Sequence, residues 1–326
     1  MNAHAGLQPT TATLVGDFGG THARLGLMFS LEDGPQEVQV FESRLFSGAE
    51  ELIRTYVQET GAVLPEFAAL AVASAVTGDQ VTLTNSPWSF SRRRLMQALQ
   101  LKRLVVINDF TALALSLTGL QAQDLTDLGG VPELDPLGPK ALIGAGTGLG
   151  VSGLLPNGQG GWVPIAGEGG HATVAPNGQL ESAVVQALAR EFGHVSAERV
   201  LSGPGLVNLY EAVCRVNGVR AVSMTPSEVL RLGENREDAA CDQALECFCS
   251  FLGGAAGNLA LTLGATGGIY IGGGIAPRLL SRLAGGGFRR AFEAKGRFSA
   301  YLQKIPTRVL DANPAHALRG AACALT

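Results

Sequence analysis

Apolar and polar positions along this chain alternate between the two-residue period of strands and the longer period of helices. Residues 13–29 form an apolar run, a glycine turn and a second apolar run, the pattern of a β-hairpin. A third strand is predicted over 38–43, and 50–60 has helical spacing with Leu52, Ile53, Tyr56 and Val57 on one side. Small apolar residues over 67–76 predict a buried strand. A helix over 91–99 with Ser91 as its cap follows, then a strand over 104–107 and a helix over 111–117. Residues 119–139, rich in Gly, Pro and Asp, read as a loop, and a second glycine hairpin spans about 140–155. Helices are expected near 180–192, 204–216, 226–233 and 237–263, then a short buried strand over 268–271 and a helix after Pro277. The last strand is expected over Thr307–Leu310, and a final helix over 315–324 is expected to pack back on the first domain. Repeated hairpin-led units predict a two-lobed α/β protein with a cleft. The expected domains are 1–118 plus 311–326, and 119–310.

Composition narrows the function classes. Of 326 residues, 46% are hydrophobic and 16% charged, enough for a sizeable core. The net charge of −4 comes with no basic stripe, which argues against a nucleic-acid partner, and no basic block beside an apolar helix suggests a membrane anchor. Residues 247–277 carry no charge, but their nine glycines predict a helix followed by a buried strand rather than a membrane span. Residues 1–13 are polar, without an apolar core of signal-peptide length, so a cytoplasmic location is expected. The five cysteines have neither zinc-site nor redox-pair spacing and read as reduced, partly buried thiols.

Two segments resemble one another: Leu14-Val15-Gly16-Asp17-Phe18-Gly19-Gly20-Thr21 and Leu142-Ile143-Gly144-Ala145-Gly146-Thr147-Gly148. In each, a strand runs into a glycine turn with a threonine, and clustered backbone N–H groups at such a turn bind phosphate. Neither is a P-loop, because no Gly-Lys-Ser/Thr follows, and the second returns as a strand rather than the helix of a dinucleotide fingerprint. Two such turns suggest a nucleotide held from both sides and a phosphoryl transfer. Asp17, beside the first turn, is a turn-former or a carboxylate facing Mg²⁺ through water. Asn108 and Asp109 close a strand and open a helix, so they are caps, or Asp109 is a general base kept ionised by the helix N-terminus. Glu168 and His171 could accept and donate at neighbouring sugar hydroxyls, or form an ordinary surface turn. Glu198 is a second sugar acceptor or a partner for Arg199. Gly272-Gly273-Gly274-Ile275 could admit an adenosine, or reflect backbone crowding between strand and helix.

Six stretches in this order carry a resemblance that runs from about Thr13 to Leu325. They are Gly16-Asp17-Phe18-Gly19-Gly20-Thr21, Ile107-Asn108-Asp109-Phe110-Thr111-Ala112, Gly144-Ala145-Gly146-Thr147-Gly148-Leu149-Gly150, Gly167-Glu168-Gly169-Gly170-His171, the segment 196–205 and Gly272-Gly273-Gly274-Ile275. The chain resembles the bacterial glucokinases of the enteric type, within the actin, hexokinase and sugar-kinase superfamily. The resemblance implies a two-lobed, ribonuclease H-like α/β fold with mixed sheets and a central cleft that closes on sugar. It implies transfer of phosphate from ATP, with Mg²⁺, to the 6-hydroxyl of glucose in glycolysis, by a cytoplasmic homodimer. By motif, Asp109 is the base, and Asn108, Glu168, His171 and Glu198 hold sugar hydroxyls. Gly16, Asp17, Phe18, Gly19, Gly20 and Thr21 face ATP phosphates, joined by Gly146, Thr147 and Gly148, with Gly272, Gly273, Gly274 and Ile275 on the adenosine side. No metal is expected to be held directly by protein. The chain departs from the family pattern at His22, usually asparagine, and at Ser74-Ala75, usually Cys-Pro.

A kinase for another hexose and a sugar-sensing regulator on the same fold stay open as alternatives. The regulator calls for a DNA-binding helix pair ahead of the first strand, where this sequence has thirteen residues. An actin-like ATPase is disfavoured by the hydroxyl-binding set Asn108, Glu168, His171 and Glu198.

Overall fold

The computed structural model describes residues 12–84, 86–132 and 134–326. Most of the polar segment 1–13 weighed above lies outside them. The chain divides into two compact units, Met1–Gln121 with Asn313–Thr326, and Ala122–Ala312.

The first unit begins with the antiparallel meander β1 (Thr13–Phe18), β2 (His22–Met28) and β3 (Pro35–Glu42). Helix α1 (Ala49–Thr60) buries Leu52, Ile53 and Tyr56, and stops at Gly61, whose φ of 66° suits glycine. Strand β4 (Phe67–Val72) pairs parallel with β1, a small hairpin of β5 (Gln80–Thr82) and β6 (Ser89–Ser91) follows, and α2 (Arg92–Ala98) starts at Ser91, whose side chain accepts from the Arg94 N–H. Strand β7 (Arg103–Asn108) and helix α3 (Asp109–Ser116) complete the run, giving the sheet order β3-β2-β1-β4-β7. Both faces of this sheet are covered. Leu14, Phe18 and Leu25 join Leu52, Ile53 and Trp88 on one side. On the other, Val15 and Met28 meet Leu318 and Ala322 of the C-terminal helix Ala315–Cys323, which therefore returns to this unit. That helix lies close to α3 because Gly320 has no Cβ to strike the Ala112 carbonyl.

The second unit opens on an element absent from the sequence reading. Within the expected loop 119–139, β8 (Leu125–Gly129) forms an edge strand antiparallel to the last strand of the sheet. Then come β9 (Lys140–Ala145), β10 (Leu149–Pro156) and β11 (Trp162–Gly167), so the expected hairpin is a three-stranded meander. Helices α4 (Gln179–Phe192), α5 (Gly203–Val216), α6 (Pro226–Glu234) and α7 (Ala239–Leu263) follow. Strand β12 (Gly268–Gly272), the short helices α8 (Leu280–Ala284), α9 (Gly287–Glu293) and α10 (Ser299–Leu302), and β13 (Thr307–Leu310) end the unit. The sheet order is β11-β10-β9-β12-β13-β8, with β12 parallel to both β9 and β13.

Helix α7 is long and apolar enough to span a membrane, but 67% of its most apolar window is buried within the protein. Its glycines explain its place. A Cβ on Gly253 or Gly257 would strike the Phe288 or Phe292 carbonyl of α9, so glycine lets α9 pack closely. All five cysteines are free thiols, and burial pushes Cys241, Cys247 and Cys249 up to about 12.

Candidate functional site

In the first unit, the parallel registers place Phe18, Val72 and Asn108 in one row at the carboxyl edge of the sheet, where open α/β sheets bind ligands. The Gly19–Thr21 turn closes with the Gly19 N–H donating to the His22 carbonyl at 3.0 Å, and leaves Thr21 exposed. Beyond the row, the Ala73 N–H donates to the Phe18 carbonyl at 3.1 Å, and Asn108 Nδ2 to the Ser74 carbonyl at 3.4 Å. Not every residue of the first motif faces outward. Phe18 is fully buried, edge-on to Trp88 at 5.7 Å, so only its backbone can meet a nucleotide. Gly16 is internal to β1, where a Cβ would press on Leu70 Cδ2 at 2.7 Å.

Asp17 has a partner that the sequence reading did not name. Arg24 stands opposite it in the β1–β2 register, and Arg24 Nη1 donates to Asp17 Oδ2 at 2.9 Å. Burial holds the Asp17 carboxyl above its ordinary 3.8, and the Arg24 charge opposes that rise only in part. A hairpin with turn residues 19–21 fixes the 17-to-24 pairing, so this contact was readable from the sequence.

The structure divides the roles offered for Asn108 and Asp109. Asn108 is the helix cap: its Oδ1 accepts from Phe110 N–H at 2.9 Å and Thr111 N–H at 3.1 Å. Asp109 is the first helical residue, half-buried, with Oδ1 accepting from Phe110 N–H at 2.9 Å.

The second unit gathers four of the predicted motifs around the β9–β10 turn. Gly146 N–H closes it on the Gly148 carbonyl at 2.8 Å, and Gly203 N–H donates to the Gly146 carbonyl at 2.8 Å. From the β12 side, Ile275 N–H donates to the Ala145 carbonyl at 3.3 Å. Gly273, with φ of 82°, sits so close that a Cβ would strike that same carbonyl. Gly272 is the last residue of β12, and Ile275 belongs to the core, so of this motif only Gly274 is exposed.

Glu198 does not pair with Arg199, which stacks on Phe192 instead. Its Oε2 accepts from the Leu149 N–H at 2.8 Å, tying it to the second glycine turn, a contact across 49 residues with no signal in the sequence. Glu168 precedes and His171 ends a single 3-10 turn after β11, both exposed, with the His171 N–H donating to the Glu168 carbonyl at 3.0 Å. This turn reaches the Glu198 segment through Ala197 N–H, which donates to the Ala172 carbonyl at 2.8 Å. Gly170 lets the turn pass over β10, since a Cβ there would strike the Leu149 carbonyl. Glu168, His171 and Glu198 are thus carried by contacting segments of one unit, an arrangement able to accept and donate at several hydroxyls of a polyol.

Behind the same turn lies a cavity of about 190 Å³ between β10 and α7, walled by Ile143, Val151, Phe251 and Leu259. No carboxylate lines it, so it is not where these polar groups act.

The family model described as Glucokinase matches residues 14–326. The chain is 46% identical to the glucokinase of Aromatoleum aromaticum over 98% of its own length and 96% of that protein's. It is likewise 46% identical to the glucokinase of Chromobacterium violaceum, over 94% of this chain and 87% of that one. The crystal structure of glucokinase from an Antarctic psychrotroph superposes with a TM-score of 0.88 at 35% identity, covering 97% of this chain and 98% of the other.

Proposed function

The chain belongs to the glucokinase family, and from that premise we propose that it transfers the terminal phosphate of ATP to the 6-hydroxyl of D-glucose. The observation that carries the mechanism is the split between Asn108, which caps α3, and Asp109, whose carboxylate that cap does not require. In the transfer, the sugar oxygen forms a bond to the γ-phosphorus while the bond from phosphorus to the β–γ bridging oxygen breaks. ADP leaves with that electron pair, and the hydroxyl proton goes to the Asp109 carboxylate. An aspartate is a weak base towards a free alcohol. It accepts the proton late, in a loose transition state where positioning does most of the work.

Glu168, His171, Glu198 and Asn108 hold the remaining hydroxyls. The exposed Thr21 and Thr147, with the backbone of their two glycine turns, hold phosphate oxygens. Gly274 is the open edge for the adenosine. The residues present suit a nucleotide-borne Mg²⁺ held through water, because Asp17 already spends one oxygen on Arg24. When bound, the ion offsets charge on the phosphates. The family resemblance also supports a cytoplasmic homodimer acting in glycolysis, and light scattering at a mass twice that of the chain tests the dimer.

The deciding experiment offers purified protein ATP and Mg²⁺ with glucose, mannose, fructose or glucosamine, and identifies the product. Glucose 6-phosphate formed fastest from glucose supports the assignment. ATP turnover independent of sugar, or preference for another hexose, overturns it.

A further inference from the structure

Gly148 and Gly146 sit two residues apart in the second glycine turn, yet their surroundings differ. Neither has the positive φ that would demand glycine. A Cβ built on Gly146 meets nothing within 4 Å, so that side of the turn is open to an incoming group. A Cβ on Gly148 would lie 2.5 Å from Glu198 Oε2. That is the oxygen which accepts from the Leu149 N–H at 2.8 Å. The space a side chain would need at Gly148 is therefore taken by a protein carboxylate.

The backbone of Glu198 cannot easily yield. Its carbonyl accepts from Ser202 Oγ at 2.8 Å, and Ser202 Oγ in turn accepts from the Gly205 N–H to cap α5. The Gly203 N–H is fastened to the Gly146 carbonyl at 2.8 Å. A methyl group at 148 would thus displace the carboxylate itself, breaking its charge-assisted bond to Leu149.

We propose that Gly148 is a positioning residue for the hexose: it makes room for Glu198 to anchor one carboxylate oxygen on the glycine turn and present the other to a sugar hydroxyl. The inference rests on reading Glu198 as a hexose ligand. It recasts part of an apparent phosphate motif as a support for sugar recognition. It also joins the two subsites through one side chain, so whatever shifts the turn shifts the carboxylate.

Glucose affinity of the whole protein, measured by calorimetry without nucleotide, tests this. Gly148→Ala is expected to weaken glucose binding about tenfold, the scale of one lost charged hydrogen bond, and to weaken ADP binding without sugar by less. In a Glu198→Ala background, Gly148→Ala is expected to add nothing further to the glucose loss. Unchanged glucose affinity in Gly148→Ala, weakened ADP binding alone, or additive effects in the double variant would each overturn the proposal. Should Gly148→Ala fail to fold, amide exchange at Leu149 decides: protection is expected to fall in Glu198→Ala, and unchanged protection refutes the anchor. A wild-type protein that binds no hexose would instead sink the reading of Glu198 as a ligand.

Discussion

Replacing Asp109 by asparagine separates chemistry from architecture. Asparagine keeps an oxygen where Asp109 Oδ1 accepts from the Phe110 N–H, and Asn108 still caps α3 through two bonds. The loss of a carboxylate at a helix N-terminus costs about 0.3–1 kcal/mol. The catalytic loss is larger. A positioned base contributes about 10²–10⁴ in rate, or about 3–5 kcal/mol of barrier at 1.36 kcal/mol per decade. Asn108→Ala carries a structural loss of its own. It removes both cap bonds and costs about 1–2 kcal/mol of stability, and Asn108→Ser is expected to restore most of it. Glucose 6-phosphate formation followed with a coupled dehydrogenase gives kcat, and thermal unfolding gives stability. Asp109→Asn should keep its melting temperature within a few degrees while kcat falls at least a hundredfold. Turnover within about tenfold of wild type would refute the base assignment, and a large loss of stability would make the carboxylate structural.

Three further perturbations probe the scaffold. Arg282, 11% exposed, binds Glu234 and Asp242 at 2.5 Å and Glu246 at 3.3 Å, and also donates to the Gly233 carbonyl, so it ties α8 to α6 and α7. Arg282→Met is expected to cost about 2–3 kcal/mol in urea unfolding, below the cost for a fully buried pair because the carboxylates can rehydrate; a loss under about 0.5 kcal/mol would contradict the clamp. Gly273→Ala forces a positive φ on alanine and drives its Cβ into the Ala145 carbonyl. It should lower ADP affinity measured by calorimetry at least tenfold in folded protein, and unchanged affinity would remove this turn from the nucleotide site. Burial raises the Asp17 pKa above 3.8 in the folded state. The stability that its proton confers is present below the ordinary value and lost as pH rises through the raised one. Urea midpoints from pH 4 upward should therefore fall for wild type relative to Asp17→Asn, and an opposite slope would refute the desolvation argument.

What could be read from the sequence was what local physics dictates. The glycine hairpins, the amphipathic α1, the Ser91 cap and the run of α7 each rest on neighbours within a few residues. The elements missed depend on distant partners. Strand β8 buries only Leu128, and Asp127 finds its cation, Arg308, at a separation of 181 residues. Strand β11 carries Pro164, which argues against a strand except at an edge, where it lies. Helices α9 and α10 are too short to show a period, and α9 is held by glycines of α7. At the site the same divide appears. Asp17 and Arg24 are joined by a turn, whereas the contacts of Glu198 with Leu149 and of Asn108 with Ser74 require the folded chain.

The likeness of the two glycine segments has its explanation in topology. Each begins the central strand of a sheet built as an antiparallel meander followed by two parallel strands: β3-β2-β1-β4-β7 in one unit and β11-β10-β9-β12-β13 in the other, to which β8 adds an edge. Their first hairpins, β1–β2 and β9–β10, occupy equivalent places. The charges do not repeat. Where the first hairpin has Asp17 opposite Arg24, the second has Ala145 opposite Leu149. An aspartate at 145 would be buried with an apolar residue across from it, and an unpaired buried carboxylate costs several kcal/mol. The acidic group of the second turn comes instead from a separate segment, as Glu198, and its oxygen is held by a backbone N–H rather than by a cation. Only one oxygen of that carboxylate is engaged by the turn, whereas Asp17 is paired with Arg24. The same scaffold thus carries one acid paired with a cation and another bound to a backbone N–H, which is why the turn sequence alone does not assign the chemistry at either place.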